Sequence, residues 1–209
     1  KDMDLVVSYG ERISSIIVAS VLNAKHWNSL ELIKTNKGLR KNILNSALTY
    51  SNIEKAYNGE ERIVMGGFIS SDVESGEITN LGRGGSDYTA AIVAGALNAD
   101  ALEIWTDVDG FLTADPRMVR NAYTIEELSY IEAVELSNFG AKVIYPPTIY
   151  PVYEKNIPLY IRNSYNPEFK GTKISGQKST EGKAIKGISS INVTCLIIFL
   201  GMGMVGVFG

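Results

Sequence analysis

Between residues 62 and 108 the chain reads as strand, glycine turn, helix and strand in quick succession: RIVMGGFISS, then LGRGGSDYTAAIVAGAL, then ALEIWTDV. The first and last are short apolar runs of the kind that form buried strands, and the Ala-rich middle suits a tightly packed helix. A strand returned to its sheet through a helix ends up parallel to its predecessor, so this stretch predicts an α/β domain with a largely parallel sheet. The rest agrees. SSIIVASVLNA reads as a buried helix, ELI at 31–33 as a short strand, and ALTYSNIEKAY as a helix. ESGEITNLGRGG reads as a hairpin arm leading to the glycines. TIEELSYIEAVELSNFG is predicted as a helix, with Thr124 and Glu127 as its capping box and Gly140 as its terminator. TIYPVYEKN and IPLYIRNS supply a further helix and strand.

With 209 residues, 45% of them hydrophobic and 21% charged, the chain is long enough to bury a core without staples. A net charge of −3 gives no basic footprint for nucleic acid. The single cysteine, Cys195, excludes an internal disulfide and fits a reducing, cytoplasmic setting. The lone histidine, His26, has no partner legible in the sequence, which removes a Ser-His-Asp triad, and no Cys/His cluster suits zinc. Residues 188–209 carry no charge, but four glycines in their second half argue against a membrane helix and for a strand at 193–200 followed by a glycine turn. GMGMVG at Gly201 fits a dinucleotide fingerprint but has neither helix nor downstream acid behind it, so no such site is assigned.

Two loops are rich in functional groups. In LGRGGSDYTAA, Gly82, Gly84 and Gly85 can expose backbone N–H groups just before a helix whose positive end suits an anion. Arg83 adds a planar fork matched to carboxylate or phosphate. Ser86 or Asp87 is expected to cap the helix, which alone explains neither three glycines nor the arginine. In WTDVDGFLTADPR, Thr106, Asp107, Asp109 and Asp115 follow a strand and Arg117 closes the loop. These acids suit water-mediated Mg²⁺ near phosphates, and for Asp109 ordinary turn composition is the simpler account. Lys142, after SNFG, can neutralise a phosphate or favour the negative end of the preceding helix.

SYGERIS, LGRGGSDYTAA, EIWTDVDG, TADPR and LSYIEAVELSNFGAKV resemble, in order and spacing, the aspartate kinases of the amino acid kinase superfamily, over about residues 7–174. The resemblance implies a three-layer αβα amino acid kinase fold at 1–180 with a mostly parallel sheet. It also implies that the start of an ACT regulatory domain (α+β) lies at 185–209. It implies transfer of the γ-phosphoryl of MgATP to the β-carboxylate of L-aspartate, the first step towards lysine, threonine and methionine. Arg83 is then expected to grip the substrate α-carboxylate and Glu11 the α-amino group, with Gly84, Gly85 and Ser86 at the substrate end of the glycine loop. Asp87 and Lys142 are the catalytic candidates, Asp87 orienting groups around the phosphoryl. Thr106, Asp107, Leu112, Asp115, Arg117 and Lys142 are the nucleotide-side candidates. No residue is assigned to hold a metal, Mg²⁺ being held mainly through ATP phosphates. Expected partners are an amino-acid feedback effector and further copies of the chain joined through ACT domains, with no nucleic acid and no membrane.

Three departures from the family pattern stand out. Its N-terminal Lys-Phe-Gly-Gly-Thr-Ser motif does not occur in these 209 residues, so the chain is expected to be an N-terminally truncated piece, inactive alone yet able to bind nucleotide. Leu112 stands where many members have a tyrosine, and IYPPTI at 144–149 replaces Leu-His-Pro-Arg-Thr-Ile. Two alternatives remain open at this point: a kinase of the same fold for another substrate, or a non-catalytic effector-binding subunit.

Overall fold

The computed structural model describes residues 2–38, 41–141, 143–176 and 185–191. Helix α1 (Asp2–Val21) leads through a turn to β1 (Lys25–Trp27). Asn28 then caps a one-turn helix, α2 (Ser29–Leu32), accepting from the Leu30 N–H at 3.2 Å and donating to Glu31 at 2.8 Å. That cap draws Glu31 and Leu32 out of the strand expected at 31–33, leaving only the fully buried Ile33 extended. β2 (Lys34–Lys37), β3 (Asn42–Leu44) and α3 (Ser46–Ala56) follow, the last capped by Asn45. β4 (Ile63–Met65) runs into Gly66–Gly67–Phe68, and β5 (Ile69–Asp72) and β6 (Ile78–Asn80) form the anticipated hairpin.

Helix α4 (Gly85–Ala96) is shared by two cores. On one side Ala91 and Ala94 join Leu102 and Ile104 of β7 (Leu102–Thr106). On the other, Ile92 and Ala96 join Trp27, Ile33 and Ile53. Beyond β7 come β8 (Glu127–Ser129), α5 (Tyr130–Asn138), a 3₁₀ turn (Pro146–Thr148), α6 (Ile149–Glu154), β9 (Leu159–Asn163) and β10 (Thr172–Ser175). The strands pair in the orders β3-β2-β5-β6, β7-β9-β10-β8 and β1-β4. Among the described residues four of the seven strand pairings are parallel, so the α/β reading with a mostly parallel sheet holds.

Three expectations are corrected. The capping box is Ser129/Glu132, not Thr124/Glu127: the Ser129 hydroxyl accepts from the Glu132 N–H at 3.2 Å and Glu132 accepts from the Ser129 N–H at 2.7 Å. Both pairs fit the Ser/Thr-x-x-Glu pattern, and tertiary pairing decides between them. Lys173 N–H bonds the Glu126 carbonyl, the Thr172 hydroxyl bonds the Ile125 carbonyl, and β10 pairs with β8, holding 125–129 extended. The helix does end at Phe139–Gly140, with Gly140 at φ +124°.

Secondly, α1 is a helix but not a buried one. Its inward face is made of small residues, Ser8, Ser15 and Ala19, resting near β4 and β6, while Ile13, Ile17 and Val21 are exposed. Thirdly, His26 has a partner: its Nε2 lies 3.1 Å from the Ser15 hydroxyl. Among the described residues no helix is long and apolar enough to cross a membrane. The predicted strand at 193–200, Cys195 and the GMGMVG turn lie outside the described residues, as does Lys142.

Candidate active site

The glycine loop begins from β6. Asn80 accepts the Gly82 N–H at 2.9 Å, and its side-chain amide donates to Asp4 of α1. This Asx turn reverses the chain into Arg83 and Gly84. Gly84, at φ +65°, is the N-cap of α4, a left-handed conformation that an L side chain adopts only at a cost. The helix therefore starts earlier than expected, and Ser86 and Asp87 fall in its first turn rather than capping it; no side-chain cap bond is made. The N–H groups of Ser86 and Asp87 find no acceptor among the described residues. Orphan donors at the positive end of a three-turn helix are an anion-binding arrangement.

Two further glycines, which sequence reasoning left out of the site, bring its parts together. A Cβ on Gly67 would stand 2.8 Å from the Ser86 Cα, and one on Gly66 would stand 3.0 Å from the Glu11 carbonyl oxygen. The end of β4 thus runs between α1 and the start of α4 with no room for side chains. Glu11 and Ser86 are positioned on either side of one backbone turn. The Ser29 hydroxyl also donates to the Gly66 carbonyl. Phe68 completes the turn at φ +70°, costing roughly 1–2 kcal/mol for a bulky residue. Its N–H is held by Thr89 Oγ1 at 3.1 Å, and Gly85 packs directly on its ring. The MGGF pattern after a strand was the signal for this turn.

Arg83 is exposed and makes no ion pair among the described residues, leaving its fork free for a ligand. Asp87 is half-buried, and burial pushes its carboxyl above the usual range. A carboxyl in that setting accepts protons and neutral donors more readily than a solvated one. Tyr145, from the departing IYPPTI segment, packs on the face of Gly84 where a side chain would sit, so that segment supports the glycine loop directly.

The second loop is organised differently. Thr106 ends β7 and its hydroxyl donates to Asp107 at 3.2 Å. Asp109 accepts from Asn163 at 2.7 Å, which ties the loop to the end of β9 and supports its structural reading. Asp115 accepts from the Arg117 backbone N–H at 2.9 Å and from its guanidinium at 3.0 Å and 2.6 Å. These bonds hold the Asp115 carboxyl down to about 2. Leu112, Asp115 and Arg117 line one cavity of about 280 Å³ together with Val108, Ala141 and Val143. That is close to the lower size for a small-molecule site. The structure therefore gathers the candidates into two groups, Glu11, Gly84, Gly85, Ser86 and Asp87 in one and Leu112, Asp115 and Arg117 in the other.

The chain belongs to the amino acid kinase family, whose profile matches residues 1–163. Within that family it is similar to aspartokinases. Lysine-sensitive aspartokinase 3 of Escherichia coli is 36% identical over 179 residues, 82% of this chain and 40% of that protein. The bifunctional aspartokinase/homoserine dehydrogenase of Buchnera aphidicola is 39% identical over 195 residues, 90% of this chain and 24% of that protein. The crystal structure of aspartate kinase from Clostridium acetobutylicum matches with a TM-score of 0.81 at 37% identity, covering 89% of this chain and 42% of that one. E. coli aspartokinase III in complex with aspartate and ADP matches with a TM-score of 0.78 at 34% identity, covering 85% and 41%. The chain thus spans between about a quarter and under half of the length of these proteins.

Proposed function

We propose that this chain is the greater part of the kinase domain of an aspartate kinase, transferring the γ-phosphoryl of MgATP to the β-carboxylate of L-aspartate. The observation that carries the reading is Arg83, without an ion pair among the described residues, next to helix N–H groups that find no acceptor among them, with Glu11 brought to the same turn by Gly66 and Gly67. A guanidinium, free N–H donors and an acid are the complement of an amino acid bearing a carboxylate and an ammonium. In the reaction a β-carboxylate oxygen of aspartate forms a bond to the γ-phosphorus, the bond to the bridging oxygen breaks, and ADP leaves. The protein's task is positioning and charge neutralisation. Arg83 orients the α-carboxylate, Glu11 the ammonium, and the first turn of α4 faces the developing phosphoryl charge. Asp87 orients groups around it.

Leu112, Asp115 and Arg117 take the nucleotide in their cavity, with Thr106 and Asp107 at its approach and Lys142 as a further phosphate contact. Magnesium would be held chiefly by the nucleotide phosphates, as suits an ion that keeps its waters. We further propose a kinase domain at 1–180 and the start of an ACT domain at 185–209, with an amino-acid effector and homo-oligomeric assembly in the whole protein. The lysine-bound E. coli aspartokinase III structure supports the effector reading. The single cysteine supports a cytoplasmic setting.

Hydroxylamine trapping of aspartyl phosphate tests the reading, run with MgATP and L-aspartate on this chain and on one extended at its N-terminus by the family's Lys-Phe-Gly-Gly-Thr-Ser segment. Trapped product from the extended chain that disappears in Arg83→Ala supports it. Silence with aspartate alongside turnover of glutamate, N-acetylglutamate or a nucleoside monophosphate would assign another substrate. Silence with all of them would favour the non-catalytic subunit.

A further inference from the structure

Residues 185–191, which the resemblance assigns to the start of the regulatory domain, are fastened to α5 and to the loop that lines the cavity. Lys186 Nζ donates to Glu132 of α5 at 2.9 Å, with the lysine mostly buried. The Ile188 N–H donates to the Thr113 carbonyl at 2.8 Å, one residue after Leu112. Gly187 lies so close to Ile125 that a Cβ there would stand 3.0 Å from its δ-methyl, and Gly140 faces the Ser190 backbone just as tightly. Ile188, Ser189 and Ser190 line the 280 Å³ cavity together with Leu112 and Val108. Ile188 itself is 67% exposed, an apolar side chain lining a cavity that Val108, Leu112 and Val143 also line.

The geometry fits an occupant that is flat and largely apolar at one end and anionic at the other. Leu112, Val108 and Ile188 offer hydrophobic walls, and Arg117 stands in the loop that closes the same space. A nucleotide has this shape, with its base among aliphatic side chains and its phosphates towards the guanidinium. The family's aromatic position is Leu112 here, so one wall of that slot is aliphatic and thinner than a tyrosine ring.

Resting on the nucleotide reading above, we infer that residues 185–191 form the outer wall of the base pocket. Ile188 contacts the base, and the Lys186–Glu132 pair acts as the positioning pair that holds it there. Glu132 is suited to the role because it is doubly anchored: it also closes the Ser129 capping box, so the lysine is fixed to the rigid start of α5. The wall is thus built from beyond the boundary at 180, and anything that pulls on the chain after residue 191 acts on the pocket.

The test is calorimetric titration of ADP, and of inorganic tripolyphosphate as a base-free probe, into the full-length protein and its variants, with thermal melts alongside. Ile188→Ala should weaken ADP about five- to tenfold for the lost apolar contact and leave tripolyphosphate unchanged. Ile188→Val, which is gentler on folding, should fall between. Lys186→Ala should weaken ADP without moving tripolyphosphate, and Lys186→Arg should restore it. Leu112→Asp, elsewhere in the lining, reports on the cavity itself. ADP binding that is lost in Leu112→Asp but unchanged in the Ile188 variants would overturn this inference and leave the nucleotide site standing. ADP binding indifferent to Leu112→Asp would remove the nucleotide from the cavity altogether. Equal losses for ADP and tripolyphosphate, or failure of Lys186→Arg to rescue, would reduce the strap to a general structural brace.

Discussion

The glycine loop at 81–87 and the acidic loop at 106–117 both follow strands and both carry charged groups, but they hold those groups in opposite ways. In the first, Arg83 and the N–H groups of Ser86 and Asp87 have no internal partner among the described residues, and the tight packing falls on the glycines, which meet the Ser86 backbone, Tyr145 and Phe68. In the second, Thr106 is bonded to Asp107, Asp109 to Asn163, and Asp115 to Arg117 by several bonds. A ligand reaching the glycine loop meets donors already aimed and unpaired. A ligand reaching the acidic loop must compete with the Asp115–Arg117 pair for the guanidinium. Preorganised donors give more per contact than donors that must first let go of one another. The glycine loop should therefore be where single substitutions do most damage.

The largest effect is expected from Gly67→Val. The added side chain meets the Ser86 backbone, which cannot rotate aside, so the start of α4 must move. In the N-terminally extended protein, activity in the hydroxylamine assay should be undetectable, and a melt should show a loss of about 1–3 kcal/mol. Wild-type turnover in this variant would mean that the close approach positions nothing. Next comes Arg83→Ala, with KM for aspartate up about 30- to 100-fold and KM for ATP nearly unmoved. Arg83→Lys should recover only part, since an ammonium cannot form the planar fork. A rise in KM for ATP instead would place Arg83 on the phosphates.

Asp87 ranks third, and it separates function from stability. Burial raises its carboxyl, so its proton is held more tightly in the folded chain than in the unfolded one. The folded state is favoured most below the ordinary carboxylate range and loses that advantage as pH rises through the raised value. Asp87→Asn should therefore abolish turnover while raising Tm at pH 7 by roughly 2 °C, a gain that shrinks on acidification. A fall in Tm at pH 7 would show that the carboxylate makes a favourable contact the structure does not display.

The difference between the loops also explains what was legible in the sequence. Glycine spacing before an Ala-rich helix is a local signal, so the turn at Gly82–Gly85 and the helix behind it could be read directly. The role of Gly66 and Gly67 could not, because it depends on α1 and α4 arriving at the same turn from 50 or more residues apart in one case and about 20 in the other. The capping box was misplaced for a similar reason: Thr124 and Ser129 both satisfy the local rule, and strand pairing with β10 chooses. Apolar density likewise misjudged α1, whose burial is decided by the small residues Ser8, Ser15 and Ala19 rather than by its many isoleucines. His26 found its partner eleven residues upstream, across a turn that composition does not reveal.

The smallest expected effect belongs to the acidic loop, and it tests the contrast most directly. Asp115 is lowered from the ordinary 3.8 to about 2, first by the Arg117 side-chain bonds and then by the Arg117 backbone N–H. Because the folded value lies below the unfolded one, whatever stability the pair gives is present above about pH 4. It is lost as pH falls from there towards 2. An exposed pair of this kind contributes little to overall stability, so the melt should barely register it. Titration of the Asp115 carboxyl by NMR should register it well, with the midpoint rising towards the ordinary value in Arg117→Ala. Saturating ADP should produce a shift in the same direction in the unaltered chain, because a guanidinium turned to phosphate no longer serves the carboxylate. If the midpoint stays near 2 with ADP bound, Arg117 never leaves Asp115, and the acidic loop is a rigid frame rather than a set of groups that trade partners.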